Sequence, residues 1–268
     1  MLPNFIIIGT MKGGTSSLYH YIASHSGVTP SSVKETNFFR STEDFNKGTD
    51  WYKSLFRAGQ LLAFEASPNY TKRHLFPGVP QRMHSLLPNI KLICILRDPI
   101  DRAVSHYVHN VAHGRESRSL SEAINDPQSN YILTSKYYYQ IEAFLEYYSG
   151  DQILLIESER LKSKTSSVMD EVFRFLDLNP EYNKSVYAKT FHASSKKKRR
   201  SRLEQTLSHR TQNPYTLAGI RLITAPFRRS FERPSLSPAD RAVLTEALAP
   251  DIEKLRRFSG LSFSSWSV

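Results

Sequence analysis

Phe5-Ile6-Ile7-Ile8-Gly9-Thr10-Met11-Lys12-Gly13-Gly14-Thr15-Ser16-Ser17-Leu18 is the stretch whose reading decides the fold. Phe5 to Ile8 is a short apolar, β-branched run suited to a strand covered on both faces, and Gly9 closes it. Gly13 and Gly14 let the backbone curl and approach a ligand without a Cβ in the way. Thr15-Ser16-Ser17 is helix-starting in character, so free amides and the positive end of a helix dipole face the turn. Strand, glycine turn and helix in this order form a cradle for an anion. A plain glycine turn between a strand and a helix has the same composition, so the rest of the chain must discriminate.

A nucleoside-triphosphate loop reads G-x-x-x-x-G-K-[ST], with lysine after the last glycine. Here Lys12 comes before the Gly13-Gly14 pair. Strand, K-G-G-T-S and helix in this order resemble the 5′-phosphosulfate loop of sulfotransferases that use 3′-phosphoadenosine 5′-phosphosulfate. The resemblance implies that Gly13, Gly14, Thr15, Ser16 and Ser17 hold the donor's 5′-phosphate and that Lys12 both binds the donor and acts in catalysis.

Further along, Lys34-Glu35-Thr36-Asn37-Phe38-Phe39 puts a lysine, a glutamate and two aromatics in a segment without a clear period. Read alone, Lys34 and Glu35 are surface charges beside two packing phenylalanines. The segment resembles the K-E-x-x-F-F of the same enzymes, most closely those acting on heparan-type glycans, whose glutamate is the proposed base; this implies a catalytic Glu35, with Lys34 at the acceptor. Leu61 to Phe64 reads as a second strand, followed by Glu65-Ala66-Ser67-Pro68-Asn69-Tyr70. That resembles the family's E-K-S-P-x-Y and implies Glu65 and Ser67 at the acceptor. Ala66 departs from the pattern, which has a lysine that reaches the reacting centre; Lys72 and Lys34 are the candidates to replace it.

Lys91 to Leu96 is the strongest strand pattern in the chain, and it leads into Arg97-Asp98-Pro99. Pro99 supplies a fixed φ for a helix start, and Asp98 can cap the free amides. Arg97 at the strand end and Ser105 about two turns into the helix then converge on one phosphate. L-R-D-P-x-x-R-x-x-S-x-Y resembles the family signature for the donor's 3′-phosphate. His106, His109 and His113 fall at i, i+3 and i+7 on this helix. No acid or cysteine accompanies them at a ligand spacing, so they read as a polar helix face rather than a metal site, with His106 lining the acceptor cleft.

The remaining pattern is architectural. A helix covers Thr134–Tyr148, a strand Gln152–Ile156, an amphipathic helix runs through Val168–Leu176, and a last helix begins near Leu236 and ends at Gly260. Residues 43–58 read as one packing helix, residues 208–236 show no element pattern, and Trp266 is expected to pack back on the domain. Between Lys184 and Arg233 there are 13 lysines and arginines against two acids, which accounts for the whole net charge of +11. Its centre, Lys196-Lys197-Lys198-Arg199-Arg200-Ser201-Arg202, is either a polyanion patch or, as the resemblance implies, a loop closing over the nucleotide phosphates through Lys198 and Arg200.

With 268 residues, 40% hydrophobic, 15 Phe and 14 Tyr, the chain can bury a full core as one domain spanning 1–268. Cys94 is the sole cysteine, which fits a reducing compartment. The start lacks signal-peptide character and no run approaches the ~20 apolar residues of a membrane span, so the expectation is a cytoplasmic protein without membrane or nucleic-acid partners. The expected fold is α/β, a central parallel sheet flanked by helices with a P-loop-like phosphosulfate loop. The expected activity is sulfuryl transfer, without a metal, to a hydroxyl or amine of a small metabolite or carbohydrate. The alternatives are a nucleotide kinase or triphosphatase, opposed by the lysine order, and a non-catalytic nucleic-acid binder driven by residues 196–202.

Overall fold

The computed structural model describes residues 1–57, 59, 61–181, 183–189, 198–199, 204, 207, 211, 214–227, 229–230 and 233–268. Five strands, β1 Phe5–Gly9, β2 Val28–Pro30, β3 Leu62–Ala66, β4 Lys91–Leu96 and β5 Ile153–Glu157, form one sheet in the order β2-β3-β1-β4-β5. Every neighbouring pair in it is parallel. The helices in chain order are α1 Thr15–Ile22, α2 Thr42–Phe45, α3 Thr49–Ser54, α4 Val79–Leu86, α5 Pro99–Ala112, α6 Leu120–Ile124, α7 Asn130–Leu133, α8 Tyr137–Leu145, α9 Ser158–Ser163, α10 Thr165–Phe175, α11 Lys184–Tyr187, α12 Pro214–Thr224 and α13 Pro238–Ser259.

The apolar runs are strands because both sheet faces are covered. Alternate residues Ile6, Ile8, Leu92, Cys94 and Leu96 pack with Tyr52 and with residues of α8 and α13, among them Ile141, Phe144, Ile252 and Leu255. Phe5, Ile7, Ile93 and Ile95 pack on the opposite side with Leu18 and Ile22 of α1 and Val168, Val172 and Phe173 of α10. Each face is apolar at period two, so the strands lose the polar alternation of a half-exposed sheet. Cys94 is buried, its thiol pushed up to about 12 by that burial, and it is a packing residue.

The chain builds β2 and β3 on one side of β1, then β4 and β5 on the other. The loops leaving β1 and β4 therefore diverge at adjacent strand ends, the switch point where open α/β sheets collect ligands. Asp98 caps α5 by accepting from the amide of Asp101 at 2.8 Å, with Pro99 in the first turn. α13 starts at a capping box of Ser237 and Asp240 and ends on Gly260 at φ 67°. Trp266 packs back, stacked on Phe263 at 4.1 Å and donating to Glu159 at 3.2 Å.

Three local expectations change. Residues 43–58 form two helices, α2 and α3, because Gly48 at φ 88° breaks the run. Val28–Pro30 is an edge strand, too short to carry a pattern and defined only by its pairing of Val28 to Leu62. The 208–236 region contains α12 and a strand β7 Arg229–Ser230, which pairs antiparallel with β6 Lys198–Arg199.

Candidate functional site

The loop after β1 is shaped by backbone contact with β4. The amide of Thr10 donates to the Ile95 carbonyl at 2.9 Å, and that of Gly13 to the Thr10 carbonyl at 2.8 Å. A Cβ on Gly13 would lie 2.5 Å from the Ile95 carbonyl oxygen, so only glycine fits. Gly14 at φ 118° and Lys12 at φ 69° turn the chain into α1, whose N-cap is Gly14 with no side-chain cap. Thr15, Ser16 and Ser17 then form the first turn, in which the Ser17 amide donates to the Gly14 carbonyl at 3.0 Å and helix geometry leaves the amides of Thr15 and Ser16 without intrahelical partners. The strand, glycine turn and helix that the spacing predicts are therefore in place, a geometry suited to an anion.

Arg97 leaves β4 one strand away, its side chain 16% exposed. Its Nη2 donates to Asp101 at 2.6 Å, its carbonyl accepts from Tyr137 at 2.7 Å, and its Nε is buried without a hydrogen-bond partner among the described residues. A buried, orphaned guanidinium nitrogen beside the cradle suits a phosphate oxygen. Ser105 lies on α5 and is 1% exposed. Asp101 also pairs with Arg233 at 3.8 Å, and β6 lies beside α5. Only the backbone of Lys198 is described, in β6, and Arg200 lies outside the described residues.

The segment carrying Glu35 crosses the cradle. Lys34 donates to Ser16 Oγ at 2.9 Å, lies 3.9 Å from Glu35 and 5.5 Å from the Tyr19 ring. Burial lowers the Lys34 pKa, and Glu35 works against that shift. The Glu35 side chain is 45% exposed.

Glu65 and Ser67 are not where the acceptor reading expects them. Both are 0% exposed. Glu65 accepts from Thr36 at 2.7 Å, Tyr70 at 2.8 Å, Tyr52 at 3.0 Å and Ser67 at 2.5 Å. Ser67 in turn accepts from the amide of Asn37 at 3.0 Å. Four hydroxyls saturate the carboxylate, so it is a buried post holding the loop that presents Glu35. Burial still raises its pKa, with the hydroxyls opposing. Ala66 is also fully buried, its amide donating to the Lys34 carbonyl at 3.0 Å.

His106 is likewise 1% exposed rather than lining an open cleft. Arg102, fully buried, donates to His106 Nδ1 at 3.3 Å, to Ser135 at 2.7 Å and to the Tyr131 carbonyl at 2.5 Å. A guanidinium has no acceptor, so Nδ1 is the unprotonated nitrogen. Burial first, then Arg102, Lys72, His109 and Lys12, hold His106 well below its ordinary pKa and neutral. His109 and His113 stack at 4.1 Å, and among the described residues no group of three His, Cys, Asp or Glu could hold a metal ion.

Sequence reasoning left one residue undecided that the structure singles out. Lys72 is 6% exposed, and its ammonium has no hydrogen bond or ion pair among the described residues. Burial, reinforced by Arg102 and opposed by Glu35, lowers it to about 8. A buried lysine without a partner has no local signature, because its burial comes from segments far apart in sequence.

A parallel sheet with a glycine-rich loop at its switch point and an arginine on the neighbouring strand is an arrangement that α/β nucleotide-binding enzymes use. A family profile described as Sulfotransferase domain matches residues 2–220, and the chain belongs to that family. It is 33% identical over 206 residues to the mouse bifunctional heparan sulfate N-deacetylase/N-sulfotransferase 4, covering 69% of this chain and 23% of that protein. The Drosophila melanogaster bifunctional heparan sulfate N-deacetylase/N-sulfotransferase is 31% identical over 214 residues, 67% of this chain and 20% of that protein. The chain thus spans about a fifth to a quarter of the length of these relatives. In structure it is similar to a sulfotransferase from Alicyclobacillus acidocaldarius, with TM-score 0.71 and 24% identity over the whole of both chains. Family membership displaces the kinase and nucleic-acid readings. Among the described residues, no helix is long and apolar enough to cross a membrane.

Proposed function

We propose that this chain, as one catalytic domain over residues 1–268, transfers a sulfuryl group from 3′-phosphoadenosine 5′-phosphosulfate to a hydroxyl or amine of a small metabolite or carbohydrate. The observation that carries the reading is the pairing of the Lys12 cradle with the orphaned Arg97 Nε at adjacent strand ends. Gly13, Gly14, Thr15, Ser16 and Ser17 hold the 5′-phosphate through amides and hydroxyls, and Arg97 and Ser105 hold the 3′-phosphate. Lys198 and Arg200 belong to the basic segment that would cover the nucleotide.

Lys12 stabilises charge growing on the bridging oxygen as its bond to sulfur breaks. A new bond forms from sulfur to the acceptor oxygen or nitrogen, and Glu35 takes the acceptor's proton, so adenosine 3′,5′-bisphosphate leaves without a redox change. Lys34, anchored on Ser16, borders the acceptor side. The carbohydrate class is supported by the named relatives, and a reducing, cytoplasmic setting by the single cysteine.

Calorimetry with adenosine 3′,5′-bisphosphate and with ATP, with and without magnesium, tests the reading on wild type and Arg97→Ala. The expected result is a metal-independent preference for the bisphosphate that weakens about 10- to 100-fold in the variant. Magnesium-dependent preference for ATP overturns it.

A further inference from the structure

The turn after β3 brings Lys72 to the root of the phosphate loop. Thr71 packs so closely on the end of β1 that a Cβ on Gly9 would lie 2.3 Å from its Oγ1. The Lys72 backbone is locked in that turn, its amide donating to the Asn69 carbonyl at 3.1 Å and its carbonyl accepting from Leu75 at 2.9 Å and Phe76 at 2.8 Å. Held at this fixed point, the residue is only 6% exposed.

Its surroundings are cationic. Arg102 and Arg115 act on Lys72 as like charges, Glu35 is the carboxylate acting on it, and Lys72 and Lys12 both act on His106. His74 on the same turn also feels Lys72 and Arg102, and its Nδ1 is buried without a partner among the described residues. Arg102 spends its donors on Ser135, Tyr131 and His106, and Lys34 is committed to Ser16. Lys72 is 6% exposed as a residue, and its ammonium, which is not itself fully sealed from solvent, has no hydrogen bond or ion pair among the described residues. Burying a cation among like charges is costly unless an anion completes the set, and the protein supplies only the half-exposed Glu35.

We propose that Lys72 is a catalytic residue of this site, its ammonium donating hydrogen bonds to the non-bridging oxygens of the sulfuryl group as that group passes from the donor to the acceptor. The assignment rests on the donor reading above. Lys12 serves the leaving phosphate, Lys72 the moving group, and Glu35 the incoming acceptor. Lys72 exchanges no proton in the step; it remains an ammonium while the bridging oxygen–sulfur bond breaks and the sulfur–acceptor bond forms. Its place on the turn beyond Ala66 lets a cation reach the reacting centre although residue 66 itself cannot supply one.

The test needs no acceptor. It compares affinities of the full chain for 3′-phosphoadenosine 5′-phosphosulfate and for adenosine 3′,5′-bisphosphate, which differ by the sulfuryl group alone, in wild type, Lys72→Met and Lys72→Arg. The expected outcome is that Lys72→Met weakens phosphosulfate binding about 10- to 100-fold and leaves bisphosphate binding within about twofold, while Lys72→Arg retains most of the difference. Wild-type phosphosulfate affinity also falls as pH rises above about 8, where the free lysine loses its proton, and Lys72→Met lacks that limb. Equal losses for both ligands, or no loss for either, overturn the assignment while leaving the donor reading intact. Wild type that binds neither ligand overturns the donor reading and the assignment together. A melting scan of each variant separates misfolding from loss of contact.

Discussion

Lys34 Nζ donates to Ser16 Oγ at 2.9 Å, tying the segment that presents Glu35 to the first turn of the helix behind the phosphate loop. The proposed base and the proposed donor cradle are thus linked by a side-chain contact across 18 positions of sequence.

Breaking that tie frees the base relative to the donor. Lys34→Met is expected to lower kcat/KM about tenfold, through kcat more than through donor affinity, since geometry at the reacting atoms is what it fixes. Steady-state kinetics alongside bisphosphate calorimetry checks the split.

Glu35→Gln keeps the shape of the side chain and removes its basicity. Turnover is expected to fall about 10²- to 10⁴-fold with bisphosphate affinity unchanged. Full turnover in this variant would remove Glu35 from the mechanism.

Gly13→Ala places a methyl 2.5 Å from the Ile95 carbonyl oxygen and 3.0 Å from that of Thr10, both backbone atoms that cannot swing away. The expected cost is about 1–3 kcal/mol of stability together with at least a tenfold loss of bisphosphate affinity. Denaturant melts and calorimetry read the two effects separately.

Glu65→Ala leaves the hydroxyls of Thr36, Tyr52, Ser67 and Tyr70 without their shared acceptor in a fully buried space. A loss of about 3 kcal/mol is expected, lowering Tm by roughly 6–12 °C. Because burial raises the Glu65 pKa above its unfolded value, the folded chain holds this proton more tightly. This group's contribution is therefore fullest in acid and declines as pH rises through the raised value.

Lys72 gives the opposite sign. Its folded pKa of about 8 lies below the ordinary 10.5, so between these values the unfolded chain binds more protons and stability rises with pH. Lys72→Met is expected to melt higher than wild type at pH 7, with the gap closing as pH approaches 10. A lower melting temperature for the variant across that range would contradict the cost of burying this cation.

The sequence by itself determined strands β1, β3, β4 and β5, the glycine turn between β1 and α1, and the Arg97-Asp98-Pro99 entry to α5. Their causes are local: apolar runs, a residue without Cβ where carbonyls crowd, and a cap followed by a fixed φ. The tertiary structure decided which of similar side chains do what. Glu35 lies in a loop and Glu65 near the end of β3, each a few residues from a conspicuous aromatic, yet one is 45% exposed and the other is sealed beneath four hydroxyls. Lys34 and Lys72 compete on paper for one role, yet one is bonded to Ser16 and the other is buried with its ammonium unspent. His106 reads as a cleft residue and lies buried against Arg102. Burial, desolvation and hydrogen-bond saturation are sums over residues far apart in sequence, such as Thr36 on Glu65, 29 positions away, and Arg102 on the Met11 carbonyl, 91 positions away, and they exist only once the strands have been brought side by side.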